Sequence, residues 1–299
     1  MSEKSYLALD SRGALKVAGP DARGFLQGLI SNDVEKVAPE RAIYAAFLTP
    51  QGKFLHDFFV VELGEALYLD CEADRLDDLK RRLTVFRLRS QVTLEDASGD
   101  LEAAALIGPG TLEALDLPAE PGRAKPFSGG VVYVDPRLAK AGLRALLPRG
   151  RARNALAEAG FGQGAFEDYE RLRLSLGLPD GSRDMEVEKA TLLENGIDEL
   201  GGVDWDKGCY LGQEITARTK HRGLVKKRLM PVTVEGPLPA PGTPVMAGDV
   251  EAGEMRTGLG GIGLAMLRLD VVEKLGERPG ALTVGEARLT PRTPDWAEF

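Results

Sequence analysis

The densest set of reactive side chains lies in GGVDWDKGCYLGQEITARTKHRG, residues 201–223. One of the two cysteines, Cys209, and one of the two histidines, His221, fall in it. Gly208 and Gly212 bracket Cys209, Tyr210 and Leu211. Glycine permits positive φ and close backbone approach, so a shaped loop is expected. Gly212-Gln213-Glu214 leads into ITART, which reads as the start of a short helix with an acid in its first turn. Lys207 lies two residues before Cys209. A neighbouring cation and a helix N-terminus both favour thiolate over thiol. Cys209 is therefore a candidate reactive or ligating sulfur, with Lys207 tuning it. A free cysteine also serves as a small buried hydrophobe, and the spacing alone leaves both roles open.

Two other features could do chemistry. His56 sits in an apolar, aromatic-rich run, residues 53–63. Its titration range suits a general acid or base near neutrality; the alternative is a partly buried, hydrogen-bonded strand residue. After Cys209 the charge balance reverses. Arg218, Lys220, Arg222, Lys226, Lys227 and Arg228 occur with no acid between them. This run reads as a landing site for an acidic partner or RNA, or as a solvated strand edge whose lysines discourage aggregation. No aromatic interleaves these cations, which argues against stacking of single-stranded nucleic acid on them.

The elements that must position these groups are mixed. Residues 6–17 read as two short strands around Ser11-Arg12-Gly13, followed by a helix after Gly19-Pro20-Asp21. Residues 42–48 and 53–63 read as a β-hairpin about Thr49-Pro50-Gln51-Gly52. Residues 66–71 are the next strand. An amphipathic helix over 74–86 places Leu76, Leu79, Leu83 and Phe86 on one side. Cys71, near a strand end, is expected in the core. Residues 101–153 are a second α+β stretch whose proline-rich part, 117–130, reads as surface loop. In a helix over 165–176, Phe166, Tyr169, Leu172 and Leu176 form the expected core stripe, with Arg171 and Arg173 pointing elsewhere. From Leu224 to Thr290 the pattern is β-rich, with strands at 229–234, 243–246, 261–267 and 282–289, and reads as a small barrel.

The chain has 299 residues, enough for about two domains. Its net charge of −8 argues against generic nucleic-acid binding. Two distant cysteines make no disulfide framework and fit a reducing compartment. Two cysteines and two histidines are too few for a self-contained iron–sulfur or zinc site, so no metal site is expected. MSEKSYLALDSRG lacks an apolar core of signal-peptide length, and no apolar run reaches the ~18 residues of a membrane span. Cytoplasm is expected, with no membrane partner.

The run Lys207-Gly208-Cys209-Tyr210-Leu211-Gly212-Gln213-Glu214 resembles the K-G-C-[YF]-x-G-Q-E signature of the YgfZ family. Its continuation through Thr216-Ala217-Arg218-Thr219 is especially similar to the mitochondrial iron–sulfur-assembly relatives of that family. VAGPDARGFLQGLISNDV resembles the opening of both YgfZ chains and the related T-protein, the aminomethyltransferase of the glycine cleavage system. The resemblance implies an α+β, T-protein-like ring of two intertwined α+β subdomains plus a C-terminal β-barrel. The corresponding limits are 1–223, with the second subdomain at roughly 101–165, and 224–299 for the barrel.

The resemblance further implies a central channel for tetrahydrofolate or a derivative, with Cys209 as the working thiol at its rim. It puts Asn32 near that channel, Asp57 at a retained acidic position and Glu194 on the pterin edge, where a carboxylate can accept two parallel N–H bonds, and it adds the glutamate tail of folate to what the basic run after Cys209 could receive. His56 stands where T-proteins carry a first aspartate, and Leu69-Asp70-Cys71-Glu72 lacks their folate-holding asparagine. Both departures weigh against aminomethyl transfer. The function implied is that of a folate-dependent accessory factor in iron–sulfur protein assembly or repair, with client or assembly proteins as partners. A folate-dependent one-carbon transferase and an RNA- or protein-binding module are the alternatives.

Overall fold

The computed structural model describes residues 3–275 and 281–298. The outermost limits expected at Met1 and Phe299 lie outside the described residues. By internal contacts the chain divides into two units. The first comprises Met1–Gln51, Leu55–Phe166 and Leu200–Gln213; the second comprises Gly52–Phe54, Glu167–Glu199 and Glu214–Phe299.

The first unit contains β1 (Ser5–Ala8), β2 (Arg12–Ala18), α1 (Ala22–Gln27), β3 (Ile43–Leu48), β4 (Phe54–Leu63), β5 (Ala66–Glu72), α2 (Leu76–Arg87), β6 (Thr93–Asp96), β7 (Leu101–Ile107), α3 (Thr111–Ala114), β8 (Ala124–Phe127), β9 (Gly130–Val134), β10 (Leu143–Pro148), α4 (Ala152–Glu158) and β11 (Gly162–Gln163). They form a five-stranded sheet in the order β3-β4-β5-β2-β6 and a six-stranded sheet in the order β11-β1-β7-β10-β9-β8. β1 and β2 are adjacent in sequence but join different sheets, so the first turn links the two layers instead of closing a hairpin. Every residue of β3 and the first eight of β4 are buried. Such strands read as continuous apolar runs because both faces are covered. β8 occupies the stretch expected to be loop; its hydrogen bonds to β9 absorb Pro126 at the sheet edge, where proline is tolerated.

A ring of charge joins the two sheets around Phe59 of β4. The guanidinium groups of Arg12, Arg137 and Arg144 lie 5.6, 5.0 and 4.0 Å from its ring centroid. Asp70 of β5 accepts from Arg12 Nε at 2.7 Å, from Arg144 Nη2 at 2.8 Å and from Tyr133 Oη at 3.2 Å. Asp135 binds Arg137 at 2.8 Å. Buried charges persist only where partners offset their desolvation, and each of these has one.

The second unit contains α5 (Phe166–Leu176), α6 (Gly181–Asp184), α7 (Gln213–Arg222), β12 (Lys227–Glu235), β13 (Pro244–Ala247), β14 (Val250–Leu259), β15 (Ile262–Arg268), α8 (Leu269–Leu275), β16 (Leu282–Val284) and β17 (Ala287–Pro291). The strands close into a six-stranded barrel, β12-β15-β14-β13-β16-β17. β14 has four turn-like glycines in or beside it and is absent from the sequence reading. Its glycines serve close approach instead: a Cβ on Gly253 would run into the Met266 carbonyl of β15. Gly285, at φ +56°, splits the expected single strand at 282–289 into β16 and β17.

The core stripe expected on α5 is displaced. Phe166 is 46% exposed, whereas Arg173 is 1% exposed. Arg173 donates to both carboxylate oxygens of Glu170, to Asp184, to the Leu178 carbonyl and to Thr257. Five acceptors make a buried guanidinium tolerable where apolar periodicity foresees solvent. No helix among the described residues is long and apolar enough to cross a membrane.

Candidate functional site

Cys209 is exposed, and its loop is fastened on both sides. Upstream, Asp204 Oδ1 accepts from the backbone N–H groups of Asp206 at 2.9 Å and Lys207 at 3.1 Å, a side-chain-closed turn. Burial opposes the ionisation of Asp204, but the Lys36 ammonium and those N–H groups outweigh it and hold the carboxyl below its usual range. Downstream, Tyr210 is buried, the Leu211 N–H donates to the Gly28 carbonyl at 3.1 Å, and the Gln213 side chain accepts from the Tyr210 N–H at 3.3 Å. Gly212 turns the chain at φ +83° into α7.

Lys207 is buried, and its ammonium donates to the carbonyls of Gln27 at 2.9 Å, Ile30 at 2.7 Å and Asn32 at 2.8 Å. It also lies 5.2 Å above the Tyr210 ring. The end of α1 leaves carbonyls without helical partners, and a cation there is favourable. Burial pulls the Lys207 pKa down to about 8, against Asp33 and Asp204, which pull it up. An ammonium has three donors, and all three are engaged. Lys207 therefore anchors the loop and has no N–H left to donate to Cys209.

Asn32 meets the same loop from the other side. Its amide donates to the Tyr44 carbonyl at 2.7 Å and the Gly201 carbonyl at 2.8 Å, and accepts from the Asp33 N–H at 2.8 Å. Asp57, buried on β4, accepts from the Tyr44 hydroxyl at 2.8 Å. Burial and then the Asp57 charge push the Tyr44 phenol well above its ordinary range. Asn32, Asp57 and Lys207 are thus tied together through Tyr44 and the turn after α1. Tyr44, the residue that joins them, was not singled out in the sequence; an aromatic in a buried strand reads there as core.

A cleft of about 360 Å³ opens beside this network. Asn32, Lys36, Arg41, Tyr44 and the half-exposed Trp205 line it. His56 lies elsewhere, against Asp78 of α2 at 3.0 Å, and burial pulls its pKa down to about 4. It is a neutral, hydrogen-bonded strand histidine. Cys71 is buried, and burial pushes its thiol up to about 12.

Glu194 belongs to the second unit, in a short turn at Leu193–Asn195. Its carboxylate accepts from Thr191 Oγ1 at 2.9 Å and faces Lys227 at 3.8 Å. The basic run is also largely paired. Arg218 binds Glu214 and Lys220 binds Asp198, at 2.7 and 2.8 Å, and Arg228 binds Glu199. Glu214 lies one turn earlier on α7, whereas Asp198 and Glu199 come from another part of the unit, which is why the run looks unbalanced in the sequence. Lys220, His221 and Arg222 form the last turn of α7, the end a helix dipole favours for cations. Gly223 and Leu224 close it with N–H bonds to Lys220 and Thr219. Among the described residues no three His, Cys, Asp or Glu side chains converge to hold a metal ion.

Residues 7–120 match the GCVT N-terminal domain, and residues 226–299 match the CAF17 C-terminal β-barrel domain. The iron–sulfur cluster assembly factor IBA57 of mouse mitochondria is 34% identical, over 96% of this chain and 84% of its own. The human protein is 33% identical with the same coverage, and the Neurospora crassa homologue is 30% identical over 91% of this chain and 72% of its own. The chain belongs to the IBA57 family. The resemblance to YgfZ, a related family, narrows to this branch. The crystal structure of the glycine cleavage aminomethyltransferase T from Bartonella henselae superposes with a TM-score of 0.78 over 99% of this chain and 87% of its own. At 16% identity that likeness concerns the fold alone: a GcvT-like aminomethyltransferase fold with a C-terminal six-stranded barrel. The cytoplasmic expectation is corrected, since these IBA57 relatives are mitochondrial proteins. Targeting segments for that compartment are amphipathic and basic, so apolarity does not mark them.

Proposed function

We propose that this IBA57-family chain is an accessory factor in iron–sulfur protein assembly and that Cys209 is its working thiol. The observation that carries this reading is the loop: Lys207 on three carbonyls, Tyr210 buried, and one exposed sulfur between them. Iron–sulfur clusters take about four cysteine ligands. A single thiol supplies one, so the others come from an assembly partner or client, and the cluster is cargo. Replacing Cys209 by Ala leaves the fold intact and abolishes support of iron–sulfur enzymes in cells lacking the native protein. Normal iron–sulfur enzyme activity with Cys209→Ala would sink the reading.

Tetrahydrofolate or a derivative is the small molecule of this reading. The cleft beside the loop offers a half-exposed indole, which suits a flat ligand, with Lys36 and Arg41 balanced by Asp204 and Asp206 on its wall. Transfer chemistry is less well served. Asp57 is buried against Tyr44, and a neutral His56 stands at the position of a first aspartate. The accessory role is therefore preferred over one-carbon transfer. Calorimetric titration with tetrahydrofolate tests the ligand: Trp205→Ala weakens binding if the cleft holds it, and Glu194→Ala weakens it if the carboxylate meets the pterin. No heat with the unaltered protein removes folate and leaves the thiol. Pairing of the basic run with Glu214, Asp198 and Glu199 weighs against an RNA-binding module.

A further inference from the structure

The far end of α2 departs from the amphipathic pattern its sequence announces. Leu76, Leu79 and Leu83 are buried, but Val85 is 66%, Phe86 37% and Leu88 89% exposed. Leu88 also sits at φ +42° and ψ −107°, a positive-φ conformation unfavourable to a branched side chain. Backbone held in such a conformation clusters at functional surfaces. Val85 and Phe86 form one wall of a groove of about 250 Å³. Phe47, Leu55 and Leu211 complete its apolar floor. Leu211 is two residues from Cys209, so the groove adjoins the thiol-bearing loop. It is below the size of ordinary small-molecule pockets. Arg81 and Arg82 rim it and share a single acid, Asp78, and Arg87 and Arg89 are exposed on either side of Leu88. On a chain of net charge −8, this is a locally basic edge around an apolar floor.

We propose that this groove docks a protein partner through a short acidic amphipathic segment: large apolar side chains enter the groove and flanking carboxylates meet the arginines. It deepens the accessory-factor reading and rests on it for bringing that partner to Cys209. Arginine pairs carboxylates through a planar fork, and a helix face of spaced apolar anchors suits such a groove.

The test uses the full chain and a dye-labelled helical peptide with leucines at i, i+3 and i+7 flanked by glutamates. The peptide binds the native protein at least about tenfold tighter than its lysine-flanked counterpart, and Val85→Glu/Leu88→Glu abolishes binding. Equal binding of both peptides, or undiminished binding to the variant, overturns the proposal. Because both positions are exposed, the variant keeps its urea midpoint and the alkylation rate of Cys209. In cells it loses iron–sulfur enzyme support as Cys209→Ala does. Full support by the variant where Cys209→Ala fails overturns the docking site and leaves the thiol reading standing. Full support by both sinks the thiol reading as well. A native dimer that the variant dissociates, or co-sedimentation with phosphatidylcholine–phosphatidylglycerol vesicles that the variant loses, assigns the groove to a second copy or a lipid surface and overturns the proposal too.

Discussion

Cys71 lies in β5, 1% exposed, next to the carboxylate that binds Arg12 and Arg144. Cys209 lies between a buried lysine and a buried tyrosine, and is exposed. Both sulfurs have cations nearby in sequence or space, yet the cations do different things. At Cys71, burial pushes the thiol up to about 12 even though Arg12 pulls it down; desolvation wins. At Cys209 the neighbouring ammonium is engaged by carbonyls, holding the backbone beneath the sulfur. A cation near a cysteine therefore does not by itself make a reactive thiol. What separates these two is whether the anchoring groups enclose the sulfur or support the chain on either side of it.

The sharpest way to break this contrast is alkylation. Iodoacetamide under native conditions labels Cys209 alone, because Cys71 reacts only when β5 opens. Openings of a core strand approach the global unfolding free energy, so the rates differ on the order of 10³-fold or more. Peptide mass spectrometry of a labelling time course reads this directly, and comparable rates would erase the distinction. Next in size is stability. Removing the carboxylate with Asp70→Ala leaves two buried guanidinium groups without it and costs about 3–5 kcal/mol. Cys209→Ala stays within about 0.5 kcal/mol of the native protein. Urea denaturation of both variants tests the pair, and a small loss at Asp70 would mean the charged ring contributes little.

The same two regions show what the sequence makes legible. The signature around Cys209 is local: glycine spacing and a helix start at Gln213 follow from adjacent residues, whereas the exposure of the thiol comes only with the fold. β3, β4 and β5 are legible for the same reason, as largely apolar runs with proline and glycine between them, whereas β8 hides in its proline-rich stretch. Long-range satisfaction of charge is not legible. Arg173 on α5 reads as solvent-facing until Asp184 and Thr257 come to it. The run from Arg218 to Arg228 reads as unpaired until Asp198 and Glu199 arrive. Lys207 reads as tuning Cys209 because it is two residues away; its partners at Gln27, Ile30 and Asn32 are remote in sequence. Phe86 continues the periodicity of α2 but falls past the end of the core, and glycine-rich β14 is hidden by residues that elsewhere mark turns.

Lys207→Met sharpens the supporting half of the comparison. Methionine keeps the length and loses every donor, leaving three carbonyls without their partner. The cost is about 1–3 kcal/mol. Amide exchange at Leu211 and Tyr210 rises more than in β5, because the loop loses its lower anchor while the charged ring is untouched. Uniform change across both regions would show that Lys207 contributes to the whole unit and not to the loop.

The smallest effects separate the two glycines that flank Cys209. They look equivalent in the sequence, but only Gly212 sits in the left-handed region, at φ +83°. Alanine there costs about 1–2 kcal/mol from the backbone alone. A Cβ at Gly208 meets nothing within 4 Å, and its φ is not in that region. Gly208→Ala should therefore stay within about 0.5 kcal/mol and leave Cys209 labelling unchanged. If it nonetheless impairs iron–sulfur enzyme support in cells, the space beside the sulfur is needed by whatever approaches it. Unimpaired support would place the need for glycine at Gly212 alone, in shaping the turn that presents the thiol.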